Sequence, residues 1–99
     1  MANESAKNGT IIRLSEPLNG SNELSLDFSR INGYTLIKAG KDARKEEPTL
    51  VMLQFSQYYL AAIASAAAGV KIDDILGMGA KDFTAVTIAV QNFLLMSDQ

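Results

Sequence analysis

Apolar and polar residues alternate near the N-terminus, in residues 23–29. Leu24, Leu26 and Phe28 occupy every second position, and short polar side chains lie between them. This two-residue period predicts a β-strand with one buried face. The β-branched segment TIIRL at residues 10–14 predicts a strand that precedes it.

A turn signal lies between these two strands. Asn19-Gly20 favours a tight turn, because both residues tolerate a positive φ. The pattern therefore predicts a β-hairpin within residues 10–31, with Pro17 near the turn or on an edge. Since an isolated hairpin is only marginally stable in water, its apolar face needs helices to cover it.

The rest of the chain predicts those helices. Residues 32–46 form an amphipathic pattern that begins with Asn32 or Thr35 as a cap. A short helix or turn is predicted at 71–78, and a C-terminal helix at 80–97. The last helix carries one apolar face at helical spacing, formed by Phe83, Val86, Val90, Phe93 and Leu94.

One long stretch, from Pro48 to Val70, has no charged residue. We predict a helix over residues 48–69, with Pro48 at its first position and Gly69 as its C-cap. Three interpretations are open. It is a poor membrane span, because polar residues interrupt it and alanines fill much of it. It fits a central core helix better, and one side of it fits a partner surface, since small domains use exposed apolar patches in recognition.

These elements predict one α+β domain over residues 10–99, with the hairpin packed on three to four helices and a helical C-terminal half. Ninety-nine residues leave no room for a second core. The polar residues 1–9 predict a flexible tail and do not resemble a secretory signal.

Composition narrows the chemistry. The chain has no Cys and no His, which removes disulfides, thiolate nucleophiles, the usual zinc ligands and histidine acid–base catalysis. Its net charge of −2 argues against a nucleic-acid partner. Adjacent helical residues such as Asp73 and Asp74 point in different directions, so they do not predict a metal pair. We expect a protein that is not an enzyme and that has no cofactor and no metal.

The most informative prediction is a partner surface. We place it on one side of the uncharged helix and near the end of the last helix. The small residues of the run AAIASAAAG let another helix approach closely, and the last helix carries more apolar positions than one contact face requires. The predicted partner-binding residues are Val51, Phe55, Tyr58, Tyr59, Ala62, Ala66, Ile88, Leu95 and Met96.

The order of these segments resembles a known family, the tail assembly chaperones of long-tailed bacteriophages. Family members begin with a strand pair of the form I-x-L-x-x-P, continue with G-x-x-L-I-x-A and an Ala-rich helix, and end on D-F-x-x-V…F-L. The resemblance covers residues 10–96. The matching residues here are Ile12, Leu14, Pro17, Gly33, Leu36, Ile37, Ala39, Asp82, Phe83, Val86, Phe93 and Leu94.

This resemblance implies a function. Such chaperones bind the long helical tape-measure protein in the host cytoplasm and keep it soluble until tail-tube subunits polymerise around it. They are then displaced and are not expected in the mature virion. The implied partner is the tape-measure protein. The tail-tube protein and a homo-oligomer are left open as further partners, and no membrane partner is expected.

Two alternatives stay open at this point. The chain fits a small structural or oligomerisation module of a phage particle, which would remain in the virion. It fits less well a small holin-like membrane protein, because its only long uncharged segment is a poor span.

Overall fold

The chain forms an α+β fold in which an N-terminal hairpin packs on helices, as predicted. The computed structural model describes residues 9–50, 52–53 and 56–95. In that part of the chain the elements are β1 (Gly9–Leu18), β2 (Ser21–Asp27), a 3₁₀ helix (Phe28–Arg30), α1 (Gly33–Glu46), α2 (Gln57–Ala68), α3 (Ile72–Leu76) and α4 (Ala80–Leu95). Gly9 therefore belongs to β1, whereas the sequence assigned it to the tail.

The hairpin has the predicted turn. Asn19 and Gly20 adopt φ values of 53° and 83°, and the strands on either side are antiparallel. Positive φ at both central positions matches the right-handed twist of the flanking strands. Leu24 and Leu26 of β2 face the core and are 5% and 0% exposed.

Strand β1 leaves the regular ladder in its second half. Arg13 pairs with Glu23 and Leu18 pairs with Ser21, so β1 has extra residues between these pairs. The free amide groups there bind the carboxylate of Asp82 at the start of α4. Its oxygens accept hydrogen bonds from the Ser15 nitrogen at 2.9 and 3.0 Å and from the Glu16 nitrogen at 3.3 Å. These bonds join the hairpin to α4 and satisfy donors that the irregularity leaves unpaired.

Helix α1 begins as the sequence predicts. Asn32 accepts a hydrogen bond from the Thr35 nitrogen, and Thr35 accepts one from the Asn32 nitrogen, which forms a capping box. Both predicted caps therefore act together.

Helix α2 is shorter than predicted. The sequence indicated a helix from Pro48, whereas α2 begins at Gln57. Ser56 is its N-cap, accepting a hydrogen bond from the Tyr59 nitrogen and donating one to the Glu47 carboxylate at 2.6 Å. An N-cap has a non-helical backbone, so the helix cannot extend backwards through Ser56.

The connection before α2 packs against α1. A Cβ added at Gly40 would lie 3.1 Å from Leu53 Cδ1, so the missing side chain lets Leu53 approach α1 closely. Glycine weakens a helix relative to alanine, and this contact gives Gly40 a packing role in α1.

The core surrounds α2, which packs against α1, α3, α4, β2 and the 3₁₀ helix. Its buried residues are Tyr59, Leu60, Ala61, Ile63, Ala64 and Ala67. The interpretation of this segment as a central core helix is confirmed for these positions. At its end Gly69 has a φ of 72° and is the predicted C-cap.

Helix α4 presents the predicted apolar face to this core. Val86 and Val90 are fully buried, and Phe83, Phe93 and Leu94 pack against the core from partly buried positions. The ring of Phe93 stacks on Phe28, with centroids 4.3 Å apart. None of the helices in the described part of the chain has both the length and the apolar composition needed to cross a membrane.

Candidate functional site

An open groove lies between α1 and α2 and is the main concave surface of interest. It has a volume of about 460 Å³. We call it the α1–α2 groove. Its lining residues are Tyr34, Thr35, Lys38, Ala39 and Asp42 of α1, Tyr58, Ala62, Ser65 and Ala66 of α2, and Ile72 of α3.

Small side chains line much of the groove. Ala39 is buried, and Ala62 and Ala66 are partly buried on the opposite helix. Ala62 and Ala66 are four residues apart, so they lie on the same face of α2. Methyl groups at these positions leave the space between the two helices open.

Tyrosines border this space. Tyr34 is 85% exposed, and Tyr58 is partly buried. Tyr34 also borders a second depression of about 310 Å³, which Ile37 lines together with Asn32 and Gly33. Ile37 is 60% exposed. The apolar surface therefore continues past Tyr34 onto the outer side of α1.

Charged groups flank the groove unevenly. Lys38 Nζ lies 2.8 Å from Asp42 Oδ2, and this hydrogen bond raises the pKa of Lys38. Burial raises the pKa of Tyr58, and the nearby carboxylates of Glu46, Asp42 and Asp73 raise it further. The ammonium of Lys38 acts in the opposite direction. The environment of Tyr58 is therefore predominantly acidic.

The structure separates the predicted partner-binding residues into groups. Tyr58, Ala62 and Ala66 all line the α1–α2 groove. Ile88 and Leu95 are exposed on α4, and neither lines this groove. The predicted surface is thus divided between two places.

Tyr59 is a correction to the prediction. Its side chain is 8% exposed and belongs to the core, because it follows the N-cap on the inward side of α2. It is not available to a partner that binds this folded form. Val51, Phe55 and Met96 lie outside the described residues.

The sequence prediction missed the contribution of α1. Tyr34, Lys38 and Asp42 are spaced four residues apart and therefore share one helix face. That spacing was the available signal. The pattern of residues 32–46 was interpreted only as an amphipathic helix that helps to cover the hairpin.

The groove combines an apolar surface with charged groups at its margin. Among the residues that the structure describes, no group of three or more acidic side chains is placed to hold a metal ion. The arrangement is suited to binding an apolar segment of another molecule.

Comparisons with known proteins add no relative to this description. Neither the models of known protein families, nor curated protein sequences, nor solved structures gave a match to this chain.

Proposed function

We propose that this chain is a tail assembly chaperone of a long-tailed bacteriophage, which binds helical segments of the tape-measure protein in the α1–α2 groove. Two separate arguments support the proposal. One is the resemblance of residues 10–96 to that family. The other is the groove itself, which is the single observation that carries the proposed binding mode.

The groove suits a helical client. Ala39, Ala62 and Ala66 offer space, while Tyr34 and Tyr58 offer broad apolar faces beside it. An amphipathic helix binds such a groove by inserting side chains from one of its faces. Because alanine walls have few specific features, they accept different side chains, which suits a client with many similar helical segments.

The size of the groove favours moderate affinity. Stable protein complexes bury roughly 1,200–2,000 Å² in total, and a groove that takes a few side chains provides less than that. Weak contacts of this kind are easily exchanged. A polymerising tail tube would then compete the chaperone away, so that the chaperone acts in the host cytoplasm and is absent from the finished particle. No catalytic step is part of this function.

The proposal is tested by co-expression with a candidate tape-measure protein. Pull-down and size-exclusion chromatography with light scattering measure whether the client becomes soluble and co-elutes. Tyr34→Ser should reduce co-elution severalfold without unfolding the domain, because Tyr34 is 85% exposed. Ile11→Ser is the matched control, since Ile11 is 56% exposed on the hairpin and does not line the groove.

The outcomes separate the two parts of the proposal. A client that stays insoluble with the unaltered chain contradicts the chaperone function. A client that becomes soluble equally well with Tyr34→Ser and with Ile11→Ser shows that binding occurs outside the groove.

A second candidate function is an oligomerisation module of the phage particle. Ile88 and Leu95, exposed at 50% and 72% on α4, favour it because they offer an apolar surface separate from the groove. Light scattering of the isolated chain tests this function. An oligomer that Ile88→Asp converts to a monomer supports it, and a monomer of the unaltered chain at high concentration argues against it.

A further inference from the structure

We propose that the α1–α2 groove selects a helix whose apolar face is flanked by lysine or arginine residues. This inference rests on the proposed function and specifies the chemistry of the client segment. The argument has three steps: the number of side chains that the groove holds, the charges around it, and the effect of those charges on a bound helix.

The groove volume sets the number of anchoring side chains. A cavity of about 150 Å³ holds one benzene molecule. The groove, at about 460 Å³, therefore holds roughly three side chains of that size. Three anchors at positions i, i+3 or i+4, and i+7 extend over two turns of a helix. The groove lies between helices and away from the edges of the hairpin, so strand addition is not its binding mode.

Of the described acidic groups on and beside the groove, one is paired with a cation and others are not. Lys38, Asp42 and Glu46 follow one another at four-residue intervals along α1, and Asp73 follows the groove residue Ile72. Asp42 is paired with Lys38 at 2.8 Å. In the part of the chain that the structure describes, neither Glu46 nor Asp73 takes part in an ion pair.

These charges act on Tyr58, which lines the groove. The groups that influence the pKa of the Tyr58 hydroxyl electrostatically are three carboxylates and one ammonium. Asp42 is ion-paired with Lys38, which leaves two carboxylates beside the groove without an ion pair in the described part of the chain: Glu46, one helical turn beyond Asp42 on α1, and Asp73, next to Ile72. A cation on a bound helix gains from the field of these carboxylates, and an anion at the same place is repelled.

The size of the preference follows from surface electrostatics. Exposed ion pairs contribute little each, so two of them give about a three- to tenfold change in affinity. Salt screens charges separated by more than about 10 Å at 0.1 M ionic strength. The preference should therefore decrease as salt rises, whereas the apolar contribution to binding should persist.

The test uses three synthetic helical peptides with the same Leu and Ala stripe. Their flanking positions carry Lys, Gln or Glu, and a fluorescent label reports binding to the full chain by anisotropy. We expect the Lys peptide to bind about three- to tenfold more tightly than the Gln peptide, and the Glu peptide to bind most weakly. These differences in affinity should shrink when the salt concentration of the assay is raised from about 0.05 M to about 0.5 M.

A double variant near the groove and a control variant on the hairpin locate the effect. The double variant Glu46→Gln with Asp73→Asn should bring the Lys and Gln peptides to about equal affinity. Its binding of the Gln peptide should not change, which shows that the groove is intact. Glu23→Gln removes one carboxylate from the outer face of the hairpin and should leave the preference unaltered.

Failures of this inference and of the proposed function are distinguishable. Equal binding of the three peptides overturns the charge preference, yet leaves the function in place if the tape-measure protein is still made soluble. Absence of binding by all three peptides also overturns it, and client solubility then shows whether the chaperone function fails with it. A preference that survives in the double variant assigns the effect to other charges and overturns this inference.

Discussion

The stacked pair Phe28 and Phe93 offers the sharpest test of how the fold is held together. Phe28 belongs to the 3₁₀ helix after the hairpin, and Phe93 lies near the end of α4. Their ring centroids are 4.3 Å apart and their planes differ by 5°. The contact therefore joins the N-terminal half of the chain to its last helix.

We expect a measurable coupling between these rings. An aromatic pair contributes about 0.5–1.5 kcal/mol beyond the area that it buries. Replacing either ring by leucine removes that contribution and adds a change in packing of up to about 1.5 kcal/mol. Each single variant should thus lose about 0.5–3 kcal/mol of unfolding free energy, and the double variant should lose less than the sum by about 0.5–1.5 kcal/mol.

A double-mutant cycle measures this coupling. Urea denaturation gives the unfolding free energy of the unaltered chain, Phe28→Leu, Phe93→Leu and the double variant. In a domain of this size 1 kcal/mol corresponds to about 4–8 °C in Tm, so thermal melting provides an independent check. A control cycle combines Phe28→Leu with Tyr34→Ala, and it should be additive because Tyr34 is 85% exposed. A coupling below about 0.3 kcal/mol for the two phenylalanines would refute the reasoning.

Three further predictions concern stability and are measured by the same denaturation experiments. Gly69→Ala should cost about 1–2 kcal/mol because its φ is 72°, and more if the Arg30 side chain, which an added Cβ would contact, cannot move aside. Asp82→Asn should destabilise the chain at neutral pH, since hydrogen bonds from the hairpin backbone lower the pKa of the Asp82 carboxyl. A carboxylate with a lowered pKa stabilises the fold fully above its ordinary pKa of 3.8 and loses this effect as pH falls through the lower folded pKa. The difference between the two proteins should therefore disappear in acid. Ile63→Ala should cost about 2–5 kcal/mol because Ile63 is fully buried, whereas Ile88→Ala, at a 50% exposed position, should cost far less.

Local patterns predicted most of the fold because each depends on neighbouring residues. The alternation of Leu24 and Leu26 gave the strand, and Asn19-Gly20 gave the turn. Asn32 and Gly69 marked two helix ends. These signals act through backbone conformation or one helical turn, so a single sequence contains them in full.

The start of α2 could not be predicted in the same way. Pro48 and Ser56 are both suitable residues at a helix start. The choice between them depends on the hydrogen bond from Ser56 to Glu47 and on the close approach of Leu53 to Gly40. The first contact joins Ser56 to the residue that follows α1, and the second joins Leu53 to α1 itself. Neither contact leaves a periodic pattern in the sequence.

Only one wall of the α1–α2 groove was predicted from the sequence, for a related reason. Ala62 and Ala66 were assigned to a partner surface because small residues allow close approach. Their facing wall, with Tyr34 and Lys38, belongs to another helix. Its position depends on how α1 packs against α2, which the helical period of α1 does not specify.

The uncharged stretch from Pro48 to Val70 includes α2, and the absence of charge from α2 has a physical explanation. Helix α2 contacts other elements on most of its circumference, and Gln57 is its only exposed residue. A charged side chain on the inner positions would be buried without a partner, at a large cost. On the remaining side, at Ala62 and Ala66, a long charged side chain would fill the groove between α1 and α2. Burial in the core therefore explains why the inner residues of α2 are uncharged, and the open groove explains why Ala62 and Ala66 are uncharged.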